Sequence, residues 1–247
     1  MKPLLCLLLL LTFSLNAQSP AGVPIPQEPH HHLVLENDYV RVFRVSVPAH
    51  ESTLLHQHDV PYLYVSLGPA DVINAVQNKP EVHLTMADGQ LGYSLGHFAH
   101  IARNQSDSPF DNVTIELLKP QGEPRNLCKK VVDGPLNDCK NSNADKPPSE
   151  SSLETKMDKL FETDEVLVES GSLDGKASFI QSGPQPPQLI IALDNSGVRV
   201  NVHGRPSNAV HGGEVLWLPV GNPPAIFDLV KQGSSRFLLI AFKNGKS

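Results

Sequence analysis

The sequence repeats itself, and the repeat limits the architectures open to it. "LENDYVRVF" (35–43) and "FETDEVLVE" (161–169) superpose at an offset of 126 residues, matching Glu36 with Glu162, Asp38 with Asp164, Val40 with Val166 and Val42 with Val168. "PYLYVSL" (61–67) and "PQLIIAL" (187–193) superpose at the same offset. The copies also end alike, since residues 89–119 and 213–243 are segments of equal length. Two homologous modules follow, 30–120 and 156–243. Within them the signals are almost all β. Residues 39–47 alternate with period two, and 62–67, 113–118, 189–193, 198–202 and 237–242 read as further short strands between Gly and Pro turns. Many short strands so punctuated form a sandwich or barrel, so the expected class is all-β. Only residues 152–161, "SLETKMDKLF", carry a helical pattern, with Ser151 or Ser152 as its cap.

The segments outside the modules differ in kind. The first residues, "MKPLLCLLLLLTFSLNAQSPAG", hold a lysine, an apolar run of about a dozen residues and a small-residue end at Ala17. That is the layout of a signal peptide over 1–17, which predicts an exported protein. The run is short for a membrane span, and no later segment predicts one. Residues 18–29 carry four prolines and predict an extended or disordered tail. Residues 121–155 are rich in Pro, Lys, Asp, Asn and Ser and read as a linker. The linker holds Cys128 and Cys139 around an Asp-Gly-Pro turn. In an oxidising compartment these two would pair and add ~3 kcal/mol, two free thiols being the other reading. Lys and Arg number 20 against 26 Asp and Glu, which gives no electrostatic reason to expect nucleic acid.

The chemistry-bearing pattern is "HQH", His56-Gln57-His58, at the head of a strand. On a strand, residues i and i+2 share a face, so both imidazoles can reach one metal while Gln57 points away. Two surface histidines on a strand would look the same. A third ligand must come from another strand, and His100 in "GHFAHIARN" is the best candidate. Three neutral imidazoles leave open coordination positions, as catalytic zinc and non-haem iron sites require.

These residues resemble the two motifs of the cupin superfamily. The first motif places a glycine, five residues, His-x-His, three or four residues, Glu, six residues and a glycine. His56 and His58 match, with Gly68 near the last glycine, His50 at the first, and Tyr62 or Leu63 where the Glu ligand belongs. In the second motif Gly89, His100 and Asn104 match at full spacing, while Leu95 and His97 replace the Pro and second Gly. The second module keeps Gly213, Pro219 and Gly221 but has Ser182, Pro184 and Pro224 at the histidine positions and Asp228 for the Asn. The resemblance therefore implies two tandem cupin barrels of double-stranded β-helix type. The first would hold a three-His site for one divalent metal, Fe, Mn or Zn. The second would hold none.

By the same resemblance the leading function is an oxygenase-like enzyme on a small molecule. Three-His cupins include thiol, diketone and gentisate dioxygenases. With no Glu ligand the centre keeps the metal's full charge, which favours an anionic substrate. A non-catalytic cupin that binds a small ligand, a sugar or a metal is the rival reading, and a metal-free structural bicupin is a third. An enzyme needs a further reactive group beside the metal. His50 and His97 are candidates as outer-sphere groups or proton shuttles, with exposed turn histidines as the alternative. Tyr62 is a candidate to line the pocket and donate a hydrogen bond, core packing being the other reading, and Asn104 a candidate outer-sphere residue. His30, His31 and His32 are adjacent and read as solvated or as a weak adventitious metal binder. A homo-oligomer is compatible with the sequence. Asn104-Gln105-Ser106 and Asn112-Val113-Thr114 match the N-glycosylation sequon.

Overall fold

The computed structural model describes residues 22–122, 124–126, 156–203, 206–220 and 225–243. The first module comprises β1 (Val23–Pro24), β2 (His31–Glu36), β3 (Val40–Val47), β4 (His56–His58), β5 (Tyr62–Ser66), β6 (Ala70–Val76), β7 (Val82–Met86), β8 (Leu91–Ser94), β9 (Phe98–Asn104) and β10 (Phe110–Leu117). After β11 (Arg125–Asn126) the second comprises β12 (Lys156–Glu162), β13 (Val166–Asp174), β14 (Phe179–Gln181), β15 (Gln188–Ala192), β16 (Val198–Val202), β17 (Asn208–Val210), β18 (Val215–Leu218), β19 (Ala225–Leu229) and β20 (Ser234–Phe242). Among these residues no helix is long and apolar enough to cross a membrane.

Each module is a pair of sheets. The first pairs the order β1-β4-β9-β6-β7 with β2-β3-β10-β5-β8, and the second pairs β14-β19-β16-β17 with β11-β12-β13-β20-β15-β18. Strand for strand the orders coincide. β4, β9, β6 and β7 correspond to β14, β19, β16 and β17, and β2, β3, β10, β5 and β8 to β12, β13, β20, β15 and β18. The register break between Leu33 and Leu35 in β2 recurs between Lys159 and Phe161 in β12. At the offset of 126 these are equivalent positions, so the copies share even a β-bulge.

Strand parity explains why the repeated segments are apolar throughout. On β5, Tyr62 and Tyr64 face the first barrel's interior, while Leu63 and Val65 face a core that also contains Leu189, Ile191, Leu238 and Ile240 of the second module. On β15 the alternate residues Ile190 and Ala192 face the second barrel's interior. The two five- and six-stranded sheets therefore pack back to back, and strands buried on both faces lose polar alternation. That shared core makes the stack four sheets deep.

Two expectations are corrected. Residues of the expected helix 152–161 that are described form β12, hydrogen-bonded to β11 and β13. Leu160 and Phe161 are both buried there, and the tertiary packing of adjacent apolar residues at a bulge overrides a weak helical propensity. The tail 18–29 is ordered from residue 22 on. β1 runs parallel to β4 with Val23 opposite His56, a single 3-10 turn follows at Ile25–Gln27, and Ile25 is buried in the barrel core. β1 has no counterpart in the second module among the described residues. The signal segment 1–17 and both Cys128 and Cys139 lie outside the described residues.

Candidate metal centre

The three candidate histidines meet inside the first barrel. β4 and β9 are antiparallel with His56 directly opposite His100, and His58 shares the inward face two residues on. The ring centroids of His56 and His100 lie 4.4 Å apart, those of His56 and His58 5.1 Å, and those of His58 and His100 5.0 Å. One ring nitrogen from each lies within 4.8 Å of the other two. Among the described residues no other group of His, Cys, Asp or Glu offers three ligand atoms so close together.

Outer hydrogen bonds settle which nitrogens face inward. His56 Nδ1 donates to the Leu54 carbonyl at 2.9 Å, and His100 Nδ1 donates to Asn74 Oδ1 at 2.7 Å. Both rings are thereby held as Nδ1–H tautomers with Nε2 lone pairs free. His58 Nε2 stands 3.1 Å from His100 Nε2, and His58 Nδ1 is buried without a partner. Two nitrogens held at about 2.1 Å from one ion stand about 3.0 Å apart at a right angle and about 3.4 Å apart at a tetrahedral one. The donor set and its spacing thus fit a divalent metal. Burial, and then repulsion among the rings, hold the His58 and His100 imidazoles well below their usual range. Burial likewise lowers His56 to about 4. At neutral pH all three are uncharged, the form that ligates metal.

The cavity around the cluster encloses about 60 Å³, room for roughly five water molecules. Tyr62 lies on its wall, stacked on His58 with centroids 4.0 Å apart. Val72, Met86 and Phe110 supply much of the apolar remainder. His31 lines it as well, with its ring centroid 4.7 Å from that of His56. This corrects the expectation for His31, which is only 8% exposed, while His32 is exposed as expected. His31 Nδ1 donates to Glu28 Oε2 at 2.5 Å. The Glu28 carboxylate is enclosed and also accepts from the His30 amide, His30 Nδ1 and the Leu54 amide. Burial alone would raise its pKa; the hydrogen bonds from His31, His30 and Leu54 outweigh it and hold the carboxyl at about 2.

The sequence matches no protein-family model and no curated protein. Solved structures do match. A cupin 2 conserved barrel domain protein from Leptotrichia buccalis, 13% identical, superposes with a TM-score of 0.53 over 86% of this chain and 88% of its own. A salicylate 1,2-dioxygenase variant from Pseudoaminobacter salicylatoxidans, solved in complex with gentisate, is 10% identical with a TM-score of 0.59 over 86% and 73%. An oxalate decarboxylase is 11% identical with a TM-score of 0.57 over 93% and 79%. The chain has the cupin fold, twice over.

The cupin frame explains several of the sequence's departures. His50 and His97, which stand where the motifs place glycines, have φ of 59° and 62°, the left-handed conformation a glycine adopts without strain. Both are exposed and neither lines the cavity. His50 Nε2 bonds Asp107 at 2.9 Å, and the His97 amide donates to the His58 carbonyl. They are exposed turn residues outside the cavity lining, His97 joined to His58 through its backbone. Asn104 is buried but also does not line the cavity. Its amide nitrogen donates to the carbonyls of Val47, Pro48 and Ser108, and its Oδ1 accepts from Ser106. It latches the loop between β9 and β10. Asn112 is buried as well and accepts from Thr114 Oγ1, so in the folded barrel neither sequon presents its asparagine.

The second cupin barrel is filled. Val198, Val200, Phe227, Phe237 and Leu239 occupy its interior, and Ser182 and Pro184 are exposed. Pro224 lies outside the described residues.

Proposed function

We propose that this protein is an exported, metal-dependent cupin enzyme of oxygenase type acting on a small anionic molecule. Its catalytic metal would be held by His56, His58 and His100. The observation that carries this reading is the convergence of three neutral imidazoles, His56 and His58 buried and His100 half-buried, with the inward nitrogens of His56 and His100 selected by Leu54 and Asn74. The solved dioxygenase and decarboxylase of the same fold are named for small-molecule chemistry, which supports the class without fixing the reaction.

A divalent metal there supplies Lewis acidity and, for iron, redox capacity toward oxygen. The chain's residues supply the rest. No carboxylate is among the three grouped ligands, so the metal's positive charge attracts an anionic group to the open positions. Val72, Met86 and Phe110 keep the surroundings dry, which strengthens that attraction. Tyr62, flat against His58, holds the ring in place and forms one wall of the substrate space.

Elemental analysis of protein purified without an affinity tag, beside a His56→Ala/His58→Ala double variant, tests the centre. About one metal per wild-type chain and little in the variant is expected. Equal metal in both overturns the assignment. Oxygen uptake by the iron-loaded protein with small carboxylates then separates enzyme from binding module. Ligand binding without turnover would favour the latter. For export, the mature protein should begin near Gln18, read by N-terminal sequencing of secreted material.

A further inference from the structure

The first barrel carries the segment 22–31, which leads into β2; at the offset of 126 the positions matching 22–29 lie outside the described residues, and Met157 of β12 stands where β2 has His31. That segment lies against the His-x-His strand so closely that a Cβ at Gly22 would stand 3.0 Å from the His56 carbonyl carbon and 3.1 Å from Ala99 Cβ. It brings in a buried carboxylate, Glu28, and a fourth imidazole at the cavity wall, His31. A buried carboxylate without a lysine or arginine partner is costly. Glu28 has none among its bonded partners; all of these lie in its own segment or just before β4.

Resting on the three-His metal reading, we propose that His31, oriented by Glu28, is the specificity residue that receives a hydroxyl of the ligand seated on the metal. The chemistry follows from the tautomer. Glu28 accepts from His31 Nδ1, so that nitrogen carries a proton; the neutral form of the ring then has its lone pair on Nε2, and the ring lines the cavity. A lone pair recognises a donor. The ligand class this selects is a small 2-hydroxy carboxylate or its close analogue, whose anionic oxygen meets the metal while its O–H meets His31. The space of about 60 Å³ suits a molecule of that size. His31 stands outside the group of three whose nitrogens converge, so it acts on the ligand and not as a fourth metal ligand.

The test uses the full mature chain loaded with cobalt(II), titrated with glycolate and with methoxyacetate and followed by visible absorption. Both acids can chelate; only glycolate keeps the hydroxyl proton. In His31→Phe the ratio of the two affinities should fall about tenfold from its wild-type value, with cobalt stoichiometry and spectrum retained. Glu28→Leu, which leaves the ring but removes the acceptor that fixes it, should lower the same ratio and guards against misfolding of the first variant. An unchanged ratio in a cobalt-loaded variant overturns the role of His31. Loss of cobalt in His31→Phe overturns it too, by making His31 a metal ligand. Failure of the wild type to take up cobalt overturns the metal centre itself, and is distinguishable from either.

Discussion

Acid should unfold the metal-free protein through its histidines before its carboxylates are touched. His56 falls from the ordinary 6.5 to about 4 in the folded barrel, chiefly because burial disfavours its charged form. The unfolded chain therefore takes up a proton in a range where the folded chain does not. Stability supplied by this group is complete above pH 6.5 and is lost as pH falls toward 4. At about 1.4 kcal/mol per pH unit the full loss is roughly 3 kcal/mol, a large share of the ~5–15 kcal/mol that holds a typical domain. His58 and His100 shift in the same direction and steepen the slope. Glu28 adds nothing in this range, because a carboxyl held at about 2 begins to lose its contribution only below its usual 4.5. Glu116 and Glu169, both raised by burial, bind protons first in the folded state and oppose the loss. Urea unfolding of chelator-treated protein at pH 7, 6, 5 and 4.5 measures the slope, and His56→Gln isolates one histidine's share. The variant should lose less stability than the wild type across the range. Equal slopes would refute the assignment of His56 as a buried neutral imidazole. Because the rings are already neutral at pH 7, metal uptake at that pH should release almost no protons into a weakly buffered solution.

Three further outcomes are expected. Asn74→Ala removes the acceptor that orients His100, and should lower metal affinity about 10- to 100-fold in chelator competition without unfolding the barrel. Asn104→Ala leaves the buried carbonyls of Val47, Pro48 and Ser108 short of a donor, and should cost about 2–4 kcal/mol by urea unfolding while sparing the metal site until the loop opens. His50→Gly and His97→Gly relieve left-handed strain of ~1–2 kcal/mol each, offset in part by the freer unfolded chain, so stability should hold or rise slightly and metal content should not change.

Most of the architecture was readable from the repeat, because strands packed on both faces must stay apolar in both copies; the expected 198–202 strand coincides with Val198–Val202. The trio His56, His58 and His100 was readable from strand parity and spacing, since parity alone fixes the face. What escaped was everything that depends on a distant partner. The segment 152–161 looked helical because adjacent Leu160 and Phe161 make sense on a strand only at a bulge. His31 looked solvated because its neighbours His30 and His32 are polar, and nothing local shows that Glu28 folds back on it. A signal existed: Ile25 and Glu28, in a stretch otherwise full of prolines, are an apolar anchor and an acid three residues before His31. Asn74, on β6, gave no signal at all, since its pairing with His100 depends on the order of strands in the sheet.

The shared back-to-back core has a consequence for how such a chain can change over time. A substitution at Ser182 or Pro184, both exposed on the second barrel, would leave that core untouched. One that altered Leu189, Ile191, Leu238 or Ile240 would strip the wall against which Leu63, Val65 and Ile115 rest. The second half is thus indispensable to the first through packing alone. It is the mould that keeps its twin in shape, and dividing the gene between the two would leave two halves with open apolar backs and no independent life.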